Sequence, residues 1–137
     1  MRYLGLDLGT KSLGLALSDR SGIIASFYEN ITYKDENKLL DYLDGIIQKE
    51  HIEKLVLGLP KNMNNSLGFR VDETLLFKKK LEDRFHLEVI LEDERLTTVV
   101  AERMLIDANV SREKRKKVKD GLSAVIILQS YLDRKDK

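Results

Sequence analysis

Three stretches far apart along the chain carry carboxylates that could act together: Asp7 in "YLGLDLGTKSLGLALSD", the pair Asp93 and Glu94 in "EDERLTT", and Asp120 in "VKDGLSA". Asp7 stands in an otherwise apolar run, where a charge is costly unless something positive answers it. Carboxylates brought together repel one another, and a hard divalent cation that prefers oxygen ligands relieves the repulsion. Mg²⁺ or Mn²⁺ is therefore the expected cofactor. Two such ions about 3.5–4 Å apart would activate a water and stabilise the departing oxygen of a phosphodiester. Gly5 and Gly9, on either side of Asp7, would let a bulky phosphate come close. Each acid also has a plainer role. Asp7 could end a strand, Asp120 could favour the free N–H groups at a helix start, and Glu94 could pair with Arg95 or Lys11.

Basic and amide side chains surround these positions in the sequence. Lys11, Arg70 and Arg95 are candidates for holding phosphates, since basic contacts to the backbone of a nucleic acid give affinity without sequence choice. Arg95 directly follows the acids and could equally orient Glu94. Asn62 and Asn64 lie in "LPKNMNNSLG", a loop whose side chains could touch sugar or phosphate oxygens, although such residues often only make turns. "SREKRKKVK" sets six basic residues, Arg112, Arg115, Lys116 and Lys117 among them, against the single acid Glu113, and it leads straight into Asp120. A solvated face is the usual reading of such a run. Its place beside an acid favours nucleic acid.

The elements that must position these groups follow from periodicity. Residues 2–8 and 12–18 read as strands joined by "GTK", an antiparallel hairpin, with a third strand over 23–32 after "SDRSG". Leu39, Leu40, Leu43, Ile46 and Ile47 recur at helical spacing behind the cap candidate Asp35. "EKLVLGLP" reads as a buried strand closed by Gly58 and Pro60. A helix is expected over about 69–85 with Val71, Leu75 and Leu81 inward, a strand in "HLEVILEDE", and helices over about 97–108 and 119–132, the first of them capped by Thr97 or Thr98. The order gives an α/β fold: a mixed five-stranded sheet with an antiparallel hairpin edge, a parallel remainder and flanking helices. Function in such sheets gathers at the carboxyl ends of the parallel strands, where Asp7, Gly58 to Pro60, Asp93 and Glu94 fall.

The 137 residues suit one domain. With no cysteine, thiolate metal sites and cysteine nucleophiles are excluded. No signal-like segment or membrane-length apolar run is evident, so a cytoplasmic protein without a membrane partner is expected. The net charge of +1 argues against a uniformly basic coat but permits local patches. His51 and His86 fall away from the acids and receive no chemistry.

Taken together, "DLGTKSLGLALSD", "LVLGLP", "DERLTT" and "ILQSYLD" resemble the YqgF family of Holliday junction resolvase-like proteins, described as pre-16S rRNA nucleases, nearly end to end. The resemblance implies one RNase H-like nuclease domain over residues 1–137. It implies a metal site of Asp7, Glu94 and Asp120, with Asp93 the alternative second acid. Hydrolysis of structured or precursor rRNA at the 5′ end of 16S is the implied activity. Branched DNA is the neighbouring alternative, and a homodimer is possible because related resolvases cut two strands. The chain departs from the family pattern at Ser12, where Arg is common, and in "DGLSA", where Ser123 stands for an Ala. A non-catalytic RNA-binding module of ribosome assembly is a further class. "LDLGT" also resembles the phosphate loop of sugar kinases, but those enzymes need two lobes and this length supplies one.

Overall fold

The computed structural model describes residues 1–60, 69–93 and 112–135, the last element by its backbone alone up to residue 121. Strands β1 (Tyr3–Leu8), β2 (Ser12–Ser18) and β3 (Ala25–Thr32) precede helix α1 (Glu36–Lys49). Strand β4 (Lys54–Leu59), helix α2 (Phe69–Phe85), strand β5 (Glu88–Asp93) and helix α3 (Arg112–Lys135) follow. The strands form one sheet in the order β3-β2-β1-β4-β5. β1 pairs antiparallel with β2 and parallel with β4, and β4 pairs parallel with β5. The expected mixed α/β sheet is the observed one.

The alternation of β1 assigns its two faces. Leu4, Leu6 and Leu8 enter a core with Leu39, Leu43, Leu57, Phe77 and Leu81, under α1 and α2. Tyr3 faces the other way, with Ala16, Val56, Ala124, Ile127, Leu128 and Leu132 under α3. Gly5 and Asp7 share that second face, because side chains two apart on a strand point to the same side.

Helix α1 starts where expected: the Asp35 carboxylate accepts from the Asn37 N–H at 2.8 Å. Three features differ from the periodicity reading. Strand β3 begins at Ala25 rather than 23, leaving Ile23 and Ile24 exposed; the Asp19 carboxylate accepts from both of their N–H groups and holds them in a turn. In α2 the inward residues are Val71, Thr74, Phe77 and Leu81, while Leu75 is exposed; at 3.6 residues per turn those four centre on one line of the helix, and Leu75 stands about 100° round from it, beyond Val71. Helix α3 runs from Arg112, so the basic run forms its first two turns. The helix expected over 97–108 lies outside the described residues. No helix among the described residues is long and apolar enough to cross a membrane.

Candidate nucleic-acid and metal site

Asp7 is half-buried near the carboxyl end of β1, on the face that α3 covers. The course of α3 over that face follows from its contacts. The Tyr131 ring lies 5.6 Å from the Tyr3 ring. Further along the strand, a Cβ on Gly5 would come within 2.7 Å of the Leu128 Cβ and 3.2 Å of the Ala124 carbonyl oxygen. Glycine is required there, because the helix lies directly on the strand and neither of those atoms can swing aside. As the strand number rises from 3 to 5, the helix number falls from 131 to 124, so helix and strand run antiparallel.

Four more helical residues cover about 6 Å and two more strand residues about 6.7 Å. Continued at that spacing, position 120, four residues before 124, would fall toward the end of β1 that carries Asp7.

The second acid is narrowed by strand parity. On β5, Val89 belongs to the α1/α2 core and Leu91 packs against it, so Asp93 falls on that side too, opposite to Asp7. Ile90 and Glu92 share the face of Asp7. Glu94, Arg95, Asn62 and Asn64 lie outside the described residues. Nothing in the sequence singles out Glu92. It is buried, and Arg134 near the end of α3 donates to it at 2.6 Å, an ion pair that ties the helix to β5 and holds the Arg134 proton more firmly than usual. The described residues contain no group of three or more His, Asp or Glu able to hold a metal; two members of the implied trio are outside that description.

The turn after Asp7 is held from several sides. The Gly9 N–H donates to the Ser12 carbonyl at 2.8 Å, and a Cβ on Gly9 would collide with the Ser12 hydroxyl at 2.5 Å. From the first turn of α2, Arg70 donates to the Leu8 carbonyl at 2.7 Å and to the Thr10 hydroxyl at 3.4 Å. The Tyr33 N–H donates to the Lys11 carbonyl at 3.0 Å, and Lys11 itself is exposed. Arg70, expected to hold phosphate, therefore spends part of its guanidinium on the backbone next to Asp7. Arg112, Arg115, Lys116 and Lys117 occupy the opening turns of α3, ahead of position 120.

Gln129 fastens α3 to the start of β3, and Ser18 ties β1 to the end of β2. The Gln129 carbonyl oxygen accepts from the Ala25 N–H at 2.8 Å, and its amide donates to the Ile23 carbonyl at 2.9 Å. Buried Ser18 accepts from the Tyr3 N–H at 2.8 Å and donates to the Asp19 carbonyl at 2.9 Å. Gln129 lies within "ILQSYLD", so its motif is visible in the sequence, but its partners are not.

A family model described as "RuvX: Holliday junction resolvase" matches residues 1–134. A relative from Geobacillus sp. (strain WCH70), named "Putative pre-16S rRNA nuclease", is 53% identical, covering 98% of this chain and 99% of its own. Among solved structures, "Crystal structure of Fowlpox virus resolvase and substrate Holliday junction DNA complex" superposes with a TM-score of 0.62 at 12% identity over 100% of both chains. "T. thermophilus RuvC in complex with Holliday junction substrate" does so with a TM-score of 0.61 at 14% identity, covering 99% of this chain and 96% of that one. At such identities the likeness shows the fold alone, and that fold is RNase H-like.

Proposed function

The chain belongs to the RuvX family, and from that premise we propose that it is a divalent-metal-dependent endonuclease, acting as one domain on the 5′ end of precursor 16S rRNA. Asp7, Glu94 and Asp120 are the proposed ligands. The observation that carries this reading is the close antiparallel passage of α3 over β1 at Gly5. The donors are all carboxylate oxygens, the set that a hard cation such as Mg²⁺ or Mn²⁺ prefers. What a divalent cation supplies when bound is a lowered water pKa and relief of charge on the departing oxygen.

The chain's own residues orient and attract. Strand β1 gives Asp7 a rigid base, and Arg70 keeps the following turn from swinging by holding the Leu8 carbonyl. Lys11, beyond that turn, meets a flanking phosphate. Arg95, Asn62 and Asn64 are assigned contacts to phosphate or sugar oxygens. Arg112, Arg115, Lys116 and Lys117 supply local positive charge that draws in a polyanion. The rRNA assignment comes from the 53% identical relative's name. Resolution of branched DNA is the second reading, favoured by the two structural neighbours bound to Holliday junctions.

The test compares precursor 16S rRNA and a four-way DNA junction as substrates, each with Mg²⁺ or Mn²⁺. Cleavage of the rRNA is expected to fall by more than about a hundredfold in Asp7→Asn, beyond what loss of a group that merely supports a metal ligand commonly costs. Equal cutting by that variant would refute the assignment of Asp7, and faster cutting of the junction would favour the DNA reading.

A further inference from the structure

Behind the β1–β2 turn lies a cleft of about 320 Å³ that the proposed ligands do not occupy, near the lower end of ligand-sized clefts, about 300–1,000 Å³. Its floor is apolar, from Leu8 and Phe77, and Leu76 stands at its lip with 56% of its surface exposed. Tyr33 lines it as well. Burial, then Glu36 and Glu73, hold the Tyr33 phenol protonated to higher pH than usual, so its hydroxyl remains a donor.

The charges of the cleft are unevenly matched. Lys80 is paired with Glu36 at 2.6 Å. Lys11 and Lys34, both exposed at the rim, form no ion pair among the described residues. That leaves two cations against Glu73, with Arg70 adjacent through Thr10. An apolar floor with an exposed leucine at the lip suits a flat base, while two ammonium groups at the rim suit a phosphate. Both features belong to one ligand class.

We propose that this cleft is a nucleotide subsite, receiving an unpaired nucleotide of the substrate strand next to the bond that is cut. The proposal rests on the nuclease reading for its ligand. Leu8 directly follows Asp7, and their side chains point to opposite faces of the sheet. A strand lying across the rim at Asp7 therefore passes over Gly9 to Lys11 and enters the cleft. Bases that are unstacked from their neighbours are the ones proteins seat in this manner.

The experiment measures binding, without metal, of a fluorescent single-stranded RNA to the full-length Asp7→Asn protein by anisotropy. Adding Leu76→Glu is expected to weaken binding about tenfold, in the range of losing one base contact. Adding Leu75→Glu, one residue along but outside the cleft, leaves binding unchanged. Lys34→Ala is expected to reduce the slope of log affinity against log salt by about 0.7, the release from one single-strand phosphate contact. Thermal melting of each variant verifies folding. RNA carrying 4-thiouridine is expected to crosslink to the peptides of Tyr33 or Leu76. Equal binding by the Leu75 and Leu76 variants, or crosslinks confined to other peptides, would overturn the subsite. Displacement of the RNA by micromolar free nucleotide would overturn the strand as its source, whereas failure of millimolar nucleotide to displace it supports the strand. Because binding is read without turnover, absence of cleavage by the parent protein would sink the nuclease reading and leave this comparison standing.

Discussion

The two faces of the sheet are built on different principles. Beneath α1 and α2 the core is thick and nearly all aliphatic, with Leu4, Leu6, Leu13, Leu15, Leu55 and Leu57 meeting leucines and phenylalanine from both helices. Beneath α3 the contact is thin. Gly5, Ala16, Ser123 and Ala124 let the helix approach, and side chains such as Gln129 and Arg134 fasten it. The first face provides stability by removing apolar surface from water. The second gives up bulk for close approach of the helix to β1 at Gly5.

Truncation should separate the two. Leu6→Ala removes a side chain that is fully buried in the thick core and is expected to cost about 2–5 kcal/mol of unfolding free energy, with cleavage per folded molecule near that of the parent. Gly5→Ala adds one methyl group under α3. It is expected to cost less stability, about 1–3 kcal/mol, yet to lose more activity, because the helix carrying position 120 must lift away from the strand. Chemical denaturation and initial rates on the same preparations would check both, and a Gly5→Ala protein with full activity would break the contrast.

Gln129→Ala leaves the Ala25 N–H and the Ile23 carbonyl without their side-chain partner. About 1 kcal/mol is expected from the lost hydrogen bonds, and amide exchange should accelerate at Ala25 at the start of β3. Unchanged exchange there would show that α3 is fastened by packing alone.

The smallest effect lies at a turn that belongs to neither core. Asp19 accepts from the Ile24 and Ile23 N–H groups, and these bonds lower its pKa from the ordinary 3.8. A carboxyl with a depressed folded-state pKa stabilises the fold above its unfolded value, and that contribution is lost as pH falls through the folded-state value. Asp19→Ala is therefore expected to flatten the dependence of melting temperature on pH below about pH 4. An acid limb identical to the parent's would contradict it.

Much of the architecture is legible in the residues. Period-two alternation marks β1 and β2, the 3–4 spacing from Leu39 marks α1, and the short run closed by Pro60 marks β4 as a central strand. Those signals are local, since each depends on side chains within a few residues of one another. Leu75 reads as inward, wrongly, because "TLLF" supplies more apolar residues than the stripe of α2 needs. Periodicity makes strand β3 two residues too long because the hydrogen bonds that stop it come from Asp19 and Gln129, the latter over a hundred positions away.

For the site, residue types are visible in the sequence and relations are not. The acids at 7, 93, 94 and 120 are visible as groups that could offer oxygen to a hard cation, because carboxylate chemistry is carried by the residue itself. Which acids share a face depends on strand parity fixed by the whole sheet, which sets Asp93 on the side away from Asp7. The hold of Arg70 on the Leu8 carbonyl and the cleft between Tyr33 and Leu76 arise where α2 meets the β1–β2 turn. Local periodicity is written into neighbouring residues, but the side-by-side placement of β1, α2 and α3 is a long-range packing outcome, decided only when the sheet buries both of its faces.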